Sequence, residues 1–232
     1  MVTPTPKLQK KSPRRRFSGR IKYMKNIYKN YFDIVILPPR EVRDYAIKLS
    51  KQLYKHGSRW LLGKENFIPH ISLFHIPVKP KNFDDFITNL EITVKGLKRG
   101  QLKVQRIRLW EPYPSLLLMA DKPKWLNNLY LKVIKKMLKY FDWDYGVEKL
   151  WHIKKLPKIM KKNVKKYGTP LIGRYFMPHI TLGVFRDDKN MIDAFNKLKL
   201  KPKKYNFEVK SIFVCELGVS HSCQRIVKEI CF

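Results

Sequence analysis

Acidic residues are scarce in this chain of 232 residues, where 18 Asp and Glu stand against 50 Lys and Arg and leave a formal net charge of +32. Unpaired positive charge on that scale points to a polyanionic partner, either nucleic acid or an anionic membrane surface. An AT-rich genome would enrich Lys too, but it does not account for stretches with no acid at all. Cysteine is scarce as well. Cys215, Cys223 and Cys231 form neither a CxxC nor a Cys/His ligand pattern, so we expect no disulfide framework, no zinc site and a reducing, intracellular compartment. No apolar run approaches the roughly 20 residues that span a bilayer, and the N-terminus lacks the apolar core of a secretory signal. No strand–GxGxxG–helix or Walker loop is present, which disfavours a nucleotide-fold enzyme. Apolar side chains are not lacking: they make up 44% of the chain, enough for a packed core and too many for a disordered protein.

Read in order, residues 1–29 carry ten Lys or Arg and several prolines, and the first acid is Asp33. This predicts a flexible basic tail suited to loose phosphate contact. A nuclear address and an organellar transit peptide share its composition; with no signal core, the cytoplasm is the expected location. Residues 30–232 are expected to form one two-lobed domain. Tyr31 to Leu37 reads as a central strand, followed by a helix with Val42, Tyr45, Ala46, Leu49 and Leu53 inward and Gly57 closing it. A strand is predicted over 68–78, then a short helix capped by Asn82, then strands over 101–110 and 115–120. The spacing of Leu126, Leu129, Tyr130, Val133, Met137 and Phe141 predicts a helix over 125–141. A basic segment from Lys149 to Tyr175 holds eight lysines plus Arg174 and no acid; it reads as a mobile flap or a solvated loop. A strand from Phe176, a helix over 190–199 and strands over 205–217 and 225–231 close the chain. The halves look alike, with helices interleaved among adjacent strand pairs. The fold class expected is α+β, a bilobal pseudo-twofold duplication with antiparallel sheets lining a central cleft and helices outside.

The most informative stretch occurs twice. Phe67 to Leu73 reads F-I-P-H-I-S-L, and Phe176 to Leu182 reads F-M-P-H-I-T-L. In a strand, residues two apart share a face, so His70 and Ser72 point one way and Ile71 and Leu73 the other; His179 and Thr181 repeat this. A lone H-x-S carries little information. A duplicated motif that keeps two histidines and two hydroxyls, and not only its apolar positions, indicates function. With ordinary pKa values near 6.5, one imidazole can be neutral and the other protonated near pH 7. The neutral one accepts a proton from an attacking hydroxyl or water while the charged one protonates the leaving oxygen, as in-line displacement at phosphorus requires. Ser72 and Thr181 can donate to the non-bridging oxygens. No carboxylate cluster accompanies the pair, and zinc would lack a third ligand, so we expect no metal and no cofactor. Simple alternation places Phe74 and Phe185 on the catalytic face as base-stacking candidates. It turns His75 and Arg186 away, and His56, His152 and His221 have no partner pattern.

The paired H-x-[S/T]-x signatures, His70 to Leu73 and His179 to Leu182, resemble those of the two-histidine phosphoesterase superfamily. Together with the Phe207 to Gly218 stretch, they are most similar to its 2′-5′ RNA ligase or RNA 2′,3′-cyclic phosphodiesterase branch. The resemblance implies metal-independent opening of a 2′,3′-cyclic phosphate to a 2′-phosphate, or cleavage of 2′-5′ linkages. It implies His70 and His179 as the acid/base pair and Ser72 and Thr181 as phosphate holders, with RNA or an oligonucleotide as substrate; the protein is expected to be a monomer. The alternatives are a hydrolase of 2′-5′ oligoadenylate or cyclic oligonucleotide signals, and a catalytically silent RNA-binding protein.

Overall fold

Tyr31–Ile36, in which every residue but one aspartate is aromatic or β-branched, is buried along its whole length, as a strand flanked on both sides must be. It is β1 of a computed structural model that describes residues 29–147 and 156–232. Short 3-10 turns aside, the described chain runs β1, α1 (Arg40–Lys55), β2 (Ile71–Pro77), α2 (Phe83–Val94), β3 (Gly100–Trp110), β4 (Ser115–Ala120), α3 (Lys124–Met137), α4 (Lys158–Tyr167), β5 (His179–Val184), α5 (Asp188–Leu198), β6 (Tyr205–Val209), β7 (Ser211–Leu217) and β8 (Cys223–Cys231). The strands form two four-stranded sheets, β2-β1-β7-β8 and β5-β4-β3-β6, with antiparallel pairing throughout.

The two sheets are built alike. Each places a His-motif strand, β2 or β5, at its edge beside a strand buried at every position, β1 or β4. The helices cross over: α1 leaves β1 but packs on β5, and α3 leaves β4 but packs on β2. α2 lies beside α3, and α5 beside α1. Each sheet therefore buries its apolar face under a helix pair, one member of which begins next to the opposite sheet. This is the expected bilobal α+β duplication, and the crossed helices tie the lobes into one hydrophobic core.

Several local expectations are corrected. The stretch 205–217 is not one strand. It breaks at Lys210, so that β6 joins β3 in the second sheet while β7 joins β1 in the first. The long helix ends at Met137 and continues as a 3-10 turn over Leu138–Tyr140. Asn82 sits at the N-cap of α2 without a side-chain cap bond, whereas Asp187 caps α5 by accepting from the Asn190 backbone N–H at 2.9 Å. Cys215 and Cys223 form a disulfide with Cα atoms 5.7 Å apart. They carry no motif, but the β7–β8 pairing brings them to bridging distance. Cys231 stays a free, exposed thiol. The basic segment contains α4, whose Met160 and Val164 bury against Leu156. Its residues 149–155, His152 among them, lie outside the described residues, as does the basic tail except for Lys29. Among the described residues no helix is long and apolar enough to cross a membrane.

Candidate active site

Both motif strands carry a β-bulge at the same place. Val35 lies opposite Ser72 and Ile34 opposite Phe74, so Leu73 is the extra residue. In the second sheet Leu117 lies opposite Thr181 and Leu116 opposite Gly183, which makes Leu182 the extra one. A bulge reverses the alternation beyond it. Phe74 therefore turns into the core at 1% exposure, and His75 comes round to the side of His70 and Ser72. This corrects two expectations: Phe74 is not a stacking ring, and His75 does not face away. Phe185, expected to stack as well, lies just past the end of β5 and is buried at 2%. Arg186 is exposed beyond the strand end, and His56 caps the C-terminus of α1.

The four residues expected to act together do meet. His70, Ser72, His179 and Thr181 line a single open cleft between the lobes. The two imidazoles are held identically. His70 Nδ1 lies 2.7 Å from the Ile68 carbonyl oxygen, and His179 Nδ1 lies 2.6 Å from that of Met177. A carbonyl can only accept, so each Nδ1 carries the hydrogen and each Nε2 is left to the cleft. The proline between carbonyl and histidine, Pro69 or Pro178, sets this turn by fixing its own φ.

The surroundings of the two imidazoles differ. Asp33, fully buried on β1, reaches into the His70 side. Its Oδ2 accepts from the Ser72 hydroxyl at 2.6 Å and lies 3.0 Å from His75 Nε2 and 3.5 Å from His70 Nε2. His75 stacks in turn on His221, with ring centroids 5.2 Å apart and planes 7° off parallel. Asp33 pairs with His75 in the β1–β2 register; the corresponding pair in the second lobe is Ser115 and Val184. Ser115 donates to the Tyr113 carbonyl at 2.7 Å. Thr181 makes no hydrogen bond through its hydroxyl among the described residues.

Electrostatics follow this asymmetry. Burial lowers the His70 pKa, while Asp33 and the Ile68 carbonyl oppose the shift. Burial pushes His179 down to about 4; Met177's carbonyl opposes it, but the charges of His70 and His75 add to it and Asp33 is only a minor counterweight. His179 thus senses charge on His70 across the cleft, and such coupling is mutual.

Sequence reasoning missed three groups. Asp33 stands alone in an apolar strand with no motif. Simple alternation turns His75 away because a bulge is invisible to it, and His221 has no pattern that links it to the cleft. One signal was available: Leu73-Phe74 are consecutive apolar residues followed by a histidine at a would-be core position, and that break in pattern is how a bulge reads. Ring faces also line the cleft from unexpected places. Trp60 and Phe67 meet edge-to-face at 5.4 Å, and Trp110 and Tyr113 lie 6.4 Å apart; all four are half-buried. Among the described residues no three His, Cys, Asp or Glu side chains come together as a metal-holding group.

A scan against protein-family models finds no match, and neither does a comparison with curated proteins. Solved structures do share the fold. Escherichia coli LigT, in a crystal structure with 3′-AMP, superposes with a TM-score of 0.56 at 12% identity, covering 88% of this chain and 98% of that one. TT0787 of Thermus thermophilus superposes at 0.55 with 13% identity, covering 87% and 97%. A protein described as a phosphoesterase reaches 0.52 at 13% identity, covering 88% and 98%. The chain has the two-lobed α+β fold of LigT, a likeness that spans nearly all of these proteins.

Proposed function

We propose that the protein is a two-histidine phosphoesterase acting on RNA ends or oligonucleotides. The reaction is opening of a 2′,3′-cyclic phosphate to a 2′-phosphate, or cleavage of a 2′-5′ linkage. The observation that carries this reading is the matched pair of imidazoles, each tied through Nδ1 to a carbonyl two residues back and each offering Nε2 to one cleft. In-line attack at phosphorus needs a proton acceptor on one side and a donor on the other, and His70 and His179 fill those roles.

Thr181 donates to a non-bridging oxygen. A phosphate reaching Ser72 competes with Asp33 for the same hydroxyl proton, so Ser72 contributes less to phosphate binding than its twin. Trp60, Phe67, Trp110 and Tyr113 stack on bases in the places expected for Phe74 and Phe185. The large positive charge favours a polyanionic ligand over an isolated mononucleotide, and binding weakens steeply with salt.

The test is an RNA oligonucleotide ending in a 2′,3′-cyclic phosphate, incubated with the protein in EDTA, with the product phosphate located by 31P NMR. A 2′-5′ oligoadenylate and a cyclic oligonucleotide serve as comparison substrates. Turnover of the RNA end to a 2′-phosphate is expected. Failure to turn over any of the three, with binding retained, would leave an RNA-binding protein instead.

A further inference from the structure

A site made of two identical imidazole mounts has no reason to favour one proton arrangement over the other. Because each imidazolium opposes charge on its twin, the pair takes up its protons one at a time, and the first goes wherever a fixed charge draws it. Only one such charge enters from the strands behind the motifs. Asp33 is fully buried, and its Oδ2 is 3.5 Å from His70 Nε2. At the matching place behind His179 stands Ser115, whose hydroxyl is engaged by the Tyr113 carbonyl. The groups around Asp33 are His70 from the turn before β2, Ser72 and His75 from β2, Tyr31 from its own strand, His221 stacked behind His75, and His179 across the cleft. A carboxylate in a poorly solvated place acts on its neighbours far more strongly than one in water. Its other oxygen, Oδ1, is buried without a hydrogen-bond partner among the described residues, so its charge is not dispersed there.

We infer that Asp33 and His75 are positioning residues that break the symmetry of the site: Asp33 holds the shared proton on His70 rather than on His179, and His75 sets how much of the carboxylate's charge His70 feels. The inference rests on the phosphoesterase reading and adds roles to it. In ring opening the water oxygen attacks phosphorus and the bond from phosphorus to O3′ breaks. His179 Nε2 takes a proton from the water, and His70 Nε2 gives its proton to O3′. The depression of His179, deeper in cause and opposed by Asp33 only weakly, agrees with this order.

Two measurements test it. The first uses His70→Ala and His179→Ala on the cyclic phosphate and on its analogue with sulfur in place of O3′, whose thiolate leaves without a proton. The H70A defect is expected to shrink at least tenfold on the thio analogue while the H179A defect stays. Equal defects, or rescue of H179A, overturn the assignment. The second follows the imidazole nitrogens by NMR titration. In the native protein His70 should titrate above His179; Asp33→Asn should move His70 down, and His75→Ala should move it up. The opposed shifts are what a purely structural role would not produce. If Asp33→Asn does not fold, the native order and the H75A shift still decide. A reversed order, or an H75A shift that is absent or downward, overturns the inference. Lack of turnover by the native protein on every phosphodiester, with the titration order intact, sinks the function and spares the electrostatics.

Discussion

Phe67 to Leu73 and Phe176 to Leu182 differ at two of seven positions, yet the molecule treats them unequally. Phe176 is buried and lies flat on Tyr130, with centroids 3.8 Å apart and planes within 3°. Phe67 is half-buried, adopts a positive φ of 53°, and meets Trp60 edge-on. Past the shared bulge, one strand continues with Phe74 and the other with Gly183. The glycine leaves room for a close approach: a Cβ there would lie 2.8 Å from Ser58 Oγ and 3.3 Å from Leu53 Cδ1, because α1 presses on β5. One lobe adds Asp33 and His75 where the other has Ser115 and Val184. Duplication preserved the mounting of each histidine and let its electrostatic surroundings diverge. The charge that each motif copy meets is therefore set by residues outside the motif.

The largest effect expected is on catalysis itself. Replacing either His70 or His179 with Ala should lower kcat/KM on a cyclic phosphate by roughly 10²- to 10⁴-fold, with RNA binding retained in a filter or fluorescence assay. Unchanged turnover in either variant would mean that the two mounts are not the reacting pair.

Next come the hydroxyls, which sharpen the contrast between lobes. Thr181→Ala should cost about 10- to 100-fold in kcat/KM, in line with removing a donor to developing charge. Ser72→Ala should cost several-fold less, since its proton is committed to Asp33. Equal losses, measured on the same substrate, would show that the Ser72–Asp33 bond yields completely when phosphate arrives.

The strand difference can be broken through stability. Phe74→Ala empties a fully buried ring position and should cost about 3–5 kcal/mol. Gly183→Ala, at the equivalent place, overpacks and should cost about 1–3 kcal/mol. Urea denaturation resolves both. A neutral Gly183→Ala would show that Ser58 moves aside freely.

The smallest effect expected is on acid sensitivity. The His179 pKa is lowered to about 4 in the folded protein, against about 6.5 unfolded. The unfolded chain then binds the extra proton between these values, so stability falls as pH drops from about 6.5 towards 4 and is unaffected by this group above that window. His179→Gln should remove part of that fall, by an amount on the order of 1 kcal/mol at pH 5. Equal acid sensitivity in the variant and the native chain would assign the window to other groups.

How much could be read in advance follows from the range of the interactions involved. Helical stripes such as Leu126, Leu129, Tyr130 and Val133 are local, and α3 lies where they indicate. The cleft-facing side chains up to Ser72 and Thr181 follow from alternation over a few residues. Beyond Leu73 and Leu182 alternation fails, because the extra residue is fixed by pairing with β1 and β4, strands distant in the chain. The stretch 205–217 escapes local reading for the same reason. A strand's propensity does not say which sheet it joins, and Lys210 marks where the chain changes partners. Cys215 and Cys223 lie eight residues apart without a motif, and only the hairpin register makes them a pair.

By itself the sequence determined that there are two like halves, that each presents an imidazole and a hydroxyl on a strand, and that the molecule is strongly basic. These are periodicity, repetition and composition, properties that the chain carries before it folds. Tertiary structure alone decided that both histidines share one cleft and that Asp33 from β1 and His75 beyond a bulge stand on one side of it. It also turned Phe74 and Phe185 inward and brought half-buried Trp and Tyr rings to the rim. The physical reason is that burial and charge act through space: a carboxylate 37 residues before His70 in the chain ends 3.5 Å from its Nε2.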